Sequence, residues 1–225
     1  MSQPGGLTYD RYTVDGSSEW MMRVGAAEAA PILVVPPLFE EMNRTRALIA
    51  AMMRALAIRG FGCWLPDLPG TGESERPLAD IVWEDWRSAV SEAADHAAAA
   101  SGRAPLVAAL RGGCLIDDAA ESAGHWRFAP ALGASLVRDM QRAGIAGTAW
   151  AGYDPSPSLR AEVAAAVPEP AARLRTVRLA SDGGEADGKI AGPSLWRRSE
   201  PGNSAALAEA AAADLAAWAK TCAAS

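Results

Sequence analysis

The chain has 225 residues, half of them hydrophobic, and a formal net charge of −6. That is enough apolar material for one α/β domain, or one with a small appendage. The acidic balance and the absence of a basic tract weigh against a general nucleic-acid binder, which clusters Lys and Arg against phosphates. No uncharged apolar run approaches the roughly 18 residues of a membrane span.

From Thr8 to Val24 the pattern predicts two short strands around Asp15-Gly16-Ser17, an antiparallel hairpin at a sheet edge. Pro31 to Pro36 is a continuous apolar run with β-branched residues, as in a strand buried on both faces. Between Asn43 and Arg59, Leu48, Ile49, Met52, Met53 and Leu56 recur at helical spacing, and Gly60 supplies a stop. Phe61 to Leu65 reads as another buried strand, followed by the loop PDLPGTGESERP. The next helix carries Val82, Trp83, Trp86, Val90, Ala93 and Ala97 and ends near Gly102; the Trp83/Trp86 pair reads as core or docking surface. Leu106 to Leu110 is a strand that runs into a tight turn and a further helix. This alternation implies crossovers and a mostly parallel sheet.

Beyond Ser122 the signal thins. Trp126 to Ala129 reads as a strand, Leu132 to Ala143 as a helix, and Leu174 to Ala180 as a half-buried strand. Ser181 to Pro193, rich in Gly and Asp, reads as a mobile loop. The last helix aligns Leu207, Ala211, Leu215, Trp218 and Cys222 on one face, with Asn203 or Ser204 as its N-cap. The three cysteines, Cys63, Cys114 and Cys222, are far apart and odd in number, which suggests free thiols in a reducing compartment. The N-terminus lacks both the basic start and the apolar run of a signal peptide, so the expected location is cytoplasmic.

Residues 105–115 (PLVAALRGGCL) have the layout of a nucleophile elbow without the nucleophile. In G-x-S-x-G, small residues two before and two after the vertex let strand and helix approach. Here the small residues are Ala109 and Gly113, and the vertex is Arg111. A guanidinium stays protonated and has no lone pair with which to attack a carbonyl.

PPLFEEMNRTR (36–46), GFGCWLPDLPGTGES (60–74) and LRGGCL (110–115) together resemble the α/β-hydrolase superfamily. Pro36-Pro37, Glu40-Glu41-Met42-Asn43, Asp67-Leu68, Gly70, Gly72 and Ser74 resemble, more narrowly, the exosortase-system-associated hydrolases of type 2. These are bacterial proteins encoded beside polysaccharide-export and protein-sorting machinery. Weaker echoes are Ala151-Gly152-Tyr153 and Gly192-Pro193 with Trp196. The resemblance implies a single α/β-hydrolase-like domain over 1–225, a mostly parallel sheet with helices on both faces, and a reduced or absent lid.

The chain departs from an active hydrolase in three places. Position 111 is Arg rather than Ser. Pro36-Pro37 stand where many relatives have His-Gly, a segment that supplies an oxyanion-hole N–H. No histidine lies near the C-terminus, the only two being His96 and His125. His96 reads as solvated on a helix and His125 as the structural start of a strand, so an ordinary triad is not expected.

Cys114 is a weak substitute nucleophile, since it sits almost a turn past the vertex and free Cys is usually packing. Arg111 has two readings: an anion clamp at the edge where open α/β sheets bind ligands, or a cation paired with Glu40, Glu41 or Asp67 in an abandoned site. Glu40, Glu41 and Asn43 follow the first core strand and join Arg111 as candidate ligand-binding residues. The glycines after Asp67 precede no Lys-Ser or Lys-Thr, so no phosphate loop is formed, and Ser74 is not a nucleophile candidate. No residue spacing supports a metal site, a nicotinamide or a flavin. Two functions stay open: a non-catalytic binding or accessory protein of an exosortase/exopolysaccharide system, or a hydrolase or acyl transferase acting on an ester or thioester with unorthodox residues. The expected partner is a small anionic ligand, a polysaccharide or an acyl intermediate. A homodimer through the hairpin edge or the Trp83/Trp86 face is a third option.

Overall fold

The computed structural model describes residues 6–143, 150 and 152–223. Strands β1 (Leu7–Val14) and β2 (Ser17–Val24) pair antiparallel. Asp15 and Gly16 between them both take positive φ, 49° and 77°, the backbone that matches the twist of a tight hairpin. Then follow β3 (Ala30–Val35), α1 (Glu40–Ile58), β4 (Phe61–Pro66), α2 (Trp83–Ser101), β5 (Leu106–Leu110) and β6 (Gly124–Phe128). The remaining elements are α3 (Gly133–Ala143), α4 (Pro157–Ala165), β7 (Leu174–Leu179), β8 (Gly188–Ile190) and α5 (Ala205–Ala223).

The eight strands form one sheet in the order β1-β2-β4-β3-β5-β6-β7-β8. β2 runs antiparallel to β4, and every neighbouring pair from β4 to β8 is parallel. An antiparallel entry hairpin at the edge, this strand order and a sharp turn after β5 make the fold α/β-hydrolase-like.

The run Ile32-Leu33-Val34-Val35 is apolar throughout because both faces of β3 are covered. Side chains alternate across a strand: Ile32 and Val34 join the core under α1 and α5 with Ile49, Met53, Trp126 and Leu215. Leu33 and Val35 join the opposite core with Trp64, Trp86, Val107 and Val163. α1 buries the expected Leu48, Ile49, Met52, Met53 and Leu56. α2 packs through Ala89, Ala93, Ala94 and Ala97 and ends at Gly102, whose φ of 71° lets its N–H cap the carbonyl of Ala98.

Three local expectations are corrected and one helix is added. No α-helix follows β5; the chain makes two short 3-10 segments instead, Arg111–Leu115 and Asp117–Ala119. Adjacent Gly112 and Gly113 weaken α-helix there. Helix α4 was not anticipated, although Ser156 caps it by accepting from Leu159 N and Pro157 sits in its first turn. The segment read as a mobile loop contains β8, and Arg178 and Lys189 bond to Asp182 within it. The sixth strand begins at Gly124, two residues before the predicted start, so His125 lies inside it. All three cysteines are free and buried. Among the described residues no helix is long and apolar enough to cross a membrane.

Candidate functional site

The elbow forms at the C-terminal end of β5. Leu110 is extended at φ −118° and Arg111 turns to +54°, the left-handed region that costs a non-glycine residue about 1–2 kcal/mol. Phe39 after β3 and Ala129 after β6 are also at positive φ, 55° and 48°. Strain of this kind gathers where surrounding packing over-determines the backbone. The need for a small residue at 113 is geometric: a Cβ on Gly113 would lie 2.4 Å from the carbonyl oxygen of Pro36 and 2.7 Å from that of Val35.

The Arg111 guanidinium is committed on three sides. Nη2 donates to Glu41 Oε1 at 2.8 Å, Nε to the same carboxylate at 3.2 Å, and Nη1 to the carbonyl of Ala129 at 3.0 Å. Its Cζ sits 4.8 Å from the centroid of the Trp196 ring, a cation–π distance. The two side chains are 11% and 6% exposed. Burial pushes the Glu41 carboxyl above the usual range, and Arg111 opposes that shift. Of the three carboxylates that sequence reasoning offered to Arg111, Glu41 is the partner.

Asn43, one turn-face away on α1, donates from Nδ2 to Glu40 Oε2 at 3.1 Å and to the Tyr153 hydroxyl at 2.9 Å. Burial, then the Glu40 charge, raises the Tyr153 phenol, so it remains a neutral hydroxyl with its proton free to donate. Asn43 and Tyr153 line a cavity of about 310 Å³ with Phe39, Arg46, Asp67 and Thr71, a lining that leaves out Arg111, Glu40 and Glu41. Phe39 itself is held edge-on by Trp86, Trp150 and Tyr153. An adjoining, more apolar hollow of about 540 Å³ shares Met42, Arg46 and Asp67 and runs out to Tyr9 and Trp20 on the hairpin.

The 67–74 loop is built around Asp67, whose carboxylate accepts from the Glu73 N–H at 3.0 Å. A Cβ on Gly72 would sit 2.5 Å from that carboxylate. Ser74 Oγ accepts from Gly70 N and donates to Glu19 Oε1. Cys114 is fully buried, its thiol donates to the Ala109 carbonyl at 3.4 Å, and burial pushes its pKa far up. That environment disfavours a thiolate.

Arg46 and Tyr153 were not singled out as site residues from sequence. Tyr153 lay within the Ala-Gly-Tyr echo, the one available signal. The two histidines lie elsewhere. His96 is half-buried on α2 against the Trp64 ring rather than solvated. His125 is at the N-terminal end of β6, the opposite end of the sheet from Arg111. Among the described residues no group of three or more His, Cys, Asp and Glu is placed to hold a metal ion.

No protein-family model matches the chain, and no curated protein does. Solved structures similar to it include an epoxide hydrolase from Vigna radiata, 17% identical over 55% of this chain and 40% of that one, with a TM-score of 0.42. Epoxide hydrolase I of potato (Solanum tuberosum) is 19% identical over 55% of this chain and 40% of its own, with a TM-score of 0.45. The chain thus spans about 40% of the length of these structures.

Proposed function

We propose that the loop end of the sheet is a ligand-binding site without serine chemistry, and that the chain serves as a binding or accessory component of a bacterial exosortase/exopolysaccharide system. The observation that carries the reading is the vertex of the elbow. Where a hydrolase presents a nucleophile, this chain presents Arg111, bound to Glu41 and the Ala129 carbonyl. The pathway assignment is supported by the sequence resemblance of residues 31–115 alone.

In this reading the ligand enters the 310 Å³ cavity, at the small end of the range for ligand pockets, about 300–1,000 Å³. Asn43 and the Tyr153 hydroxyl contact ligand hydroxyls, Arg46 attracts an anionic group, and Asp67 accepts a hydroxyl proton. Glu40 orients the Asn43 amide. The Arg111–Glu41 pair holds the first turn of α1, and with it Asn43, against the elbow. A cation beside neutral donors and one carboxylate suits a hydroxylated anion such as a sugar acid.

The test is a thermal-shift screen of glucuronate, galacturonate, inorganic phosphate and acetyl phosphate, followed by calorimetry on any hit. The expected result is a sugar acid that raises Tm and loses its effect in Asn43→Ala and Arg46→Ala. A screen with no hit, or hits that survive both substitutions, refutes the reading.

A further inference from the structure

At the other end of the sheet the chain assembles a serine, a histidine and an aspartate in hydrogen-bonding sequence. Ser122 Oγ lies 2.8 Å from His125 Nε2, and His125 Nδ1 lies 3.3 Å from Asp117 Oδ2. Such a constellation is recognised by geometry and roles rather than by chain order. Here the order is Asp117, Ser122, His125, the first two in the connection that the elbow opens between β5 and β6 and the third in β6 itself.

The surroundings set the roles. Asp117 is fully buried and receives Arg127 in a two-pronged contact, Nε to Oδ2 at 2.7 Å and Nη2 to Oδ1 at 2.8 Å. An unpaired charge at such depth is costly, and the Arg127 guanidinium supplies the partner that Asp117 needs there. Against the desolvation of burial, the Asp117 contacts also hold the Arg127 pKa above its ordinary value. A carboxylate oxygen facing Nδ1 accepts from that nitrogen and so favours the tautomer with the proton on Nδ1. That leaves Nε2 as an acceptor aimed at the hydroxyl proton of Ser122. The backbone on either side is fixed: His125 N donates to the Arg173 carbonyl, its own carbonyl accepts from Trp218 Nε1, and Ala123 N donates to Pro105 O.

The serine end of this chain of bonds is open. Ser122 is half-buried and, with His125, lines a cleft of about 370 Å³ between the start of β6 and residues 170–173. Arg173 also lines the cleft, and its Nη1 donates to the Cys222 carbonyl at 3.2 Å. The nearby acid, Asp118, is engaged by both terminal nitrogens of Arg87 at 3.0 and 2.9 Å.

We propose that Ser122 is an activated nucleophile toward small activated esters, with His125 as its general base and Asp117 as a positioning residue. Ser122 Oγ forms a bond to the ester carbonyl carbon while its proton passes to His125 Nε2 and the carbonyl electron pair moves to oxygen. Collapse of that oxyanion breaks the bond to the leaving alkoxide or phenoxide, which takes the proton from His125. Water, deprotonated by His125, then attacks the acyl-serine; collapse breaks the Ser122 Oγ–acyl bond, the proton on His125 returns to Oγ, and a carboxylic acid leaves. This activity is independent of ligand binding at the elbow, and either can fail without the other.

The test uses the full chain with a fluorophosphonate probe and p-nitrophenyl acetate. The expected result is a single adduct, mapped by peptide mass spectrometry to Ser122, that is absent in Ser122→Ala. Ester turnover falls by about 10² or more in Ser122→Ala and in His125→Gln. Asp117→Asn lowers kcat with KM for the ester unchanged, because the amide selects the wrong tautomer; if that variant does not fold, the other two decide. No adduct, an adduct at another residue, or turnover that survives Ser122→Ala overturns the proposal.

Discussion

Replacing Arg111 by Ala should cost much of the stability of this chain, and the size of the loss can be worked from its contacts. The substitution leaves Glu41, with a side chain only 6% exposed, without its partner. It also removes the bond to the Ala129 carbonyl and the contact with the Trp196 ring. Breaking a buried pair from one side costs about 3–5 kcal/mol, since the remaining charge has lost its solvent and its partner. Replacing both members, Arg111→Met with Glu41→Leu, leaves no orphaned charge and should fall within about 1 kcal/mol of the parent. Arg111→Gly removes the same guanidinium as Ala but accepts the +54° φ freely, so it should recover about 1–2 kcal/mol relative to Ala.

Acid should rescue the Ala variant. Without Arg111, burial raises the Glu41 pKa against only the more distant Arg44 charge, so the folded state binds a proton that the unfolded state releases. The deficit against the parent therefore grows as pH rises above the ordinary glutamate value and shrinks on acidification. Urea unfolding followed by emission of the eight tryptophans reads all four quantities. A cost for Arg111→Ala below about 1 kcal/mol, the level of an exposed pair, refutes the reasoning. So does a double variant as unstable as the single.

Gly113→Ala should destabilise by about 1–3 kcal/mol, because its Cβ meets the backbone oxygens of Pro36 and Val35, which cannot swing aside; a urea midpoint unchanged from the parent refutes the close approach. Glu19 is 1% exposed, its Oε2 has no hydrogen-bond partner among the described residues, and burial first, opposed by Ser74 and Arg76, raises its pKa. A raised folded pKa means the native state holds more protons in the window above the ordinary 4.5, so stability falls as pH rises through it. Glu19→Gln should flatten that part of the slope in urea titrations between about pH 4 and 7; an unchanged slope refutes the assignment.

Legibility from sequence followed the range of each interaction. The helical spacing from Leu48 to Leu56, the apolar run of β3 and the stop at Gly102 are local consequences of backbone period, and each appears in the structure. The small flanks of Arg111 announced the elbow because close backbone approach tolerates little else. β8 escaped notice because three residues carry no period. Asn43 and Tyr153 are bonded across 110 residues, a separation no local pattern encodes. The Asp117–His125 contact was missed for another reason. The histidine was sought after the last strand, where the elbow would use it, and His125 lies at the opposite sheet end.

The α/β class, the hairpin edge, the two-faced burial of the central strands and the absence of a serine at the vertex could all be read from residue order, because periodicity and side-chain chemistry are properties of short stretches. Folding decided which carboxylate meets Arg111. Glu40, Glu41 and Asp67 all lie near the strand ends, but only Glu41 is turned inward by α1 and desolvated beside the guanidinium. Folding likewise brought Ser122, His125 and Asp117 into line. A hydrogen bond depends on direction to within a fraction of an ångström, and the packed sheet sets that direction where the order of residues does not.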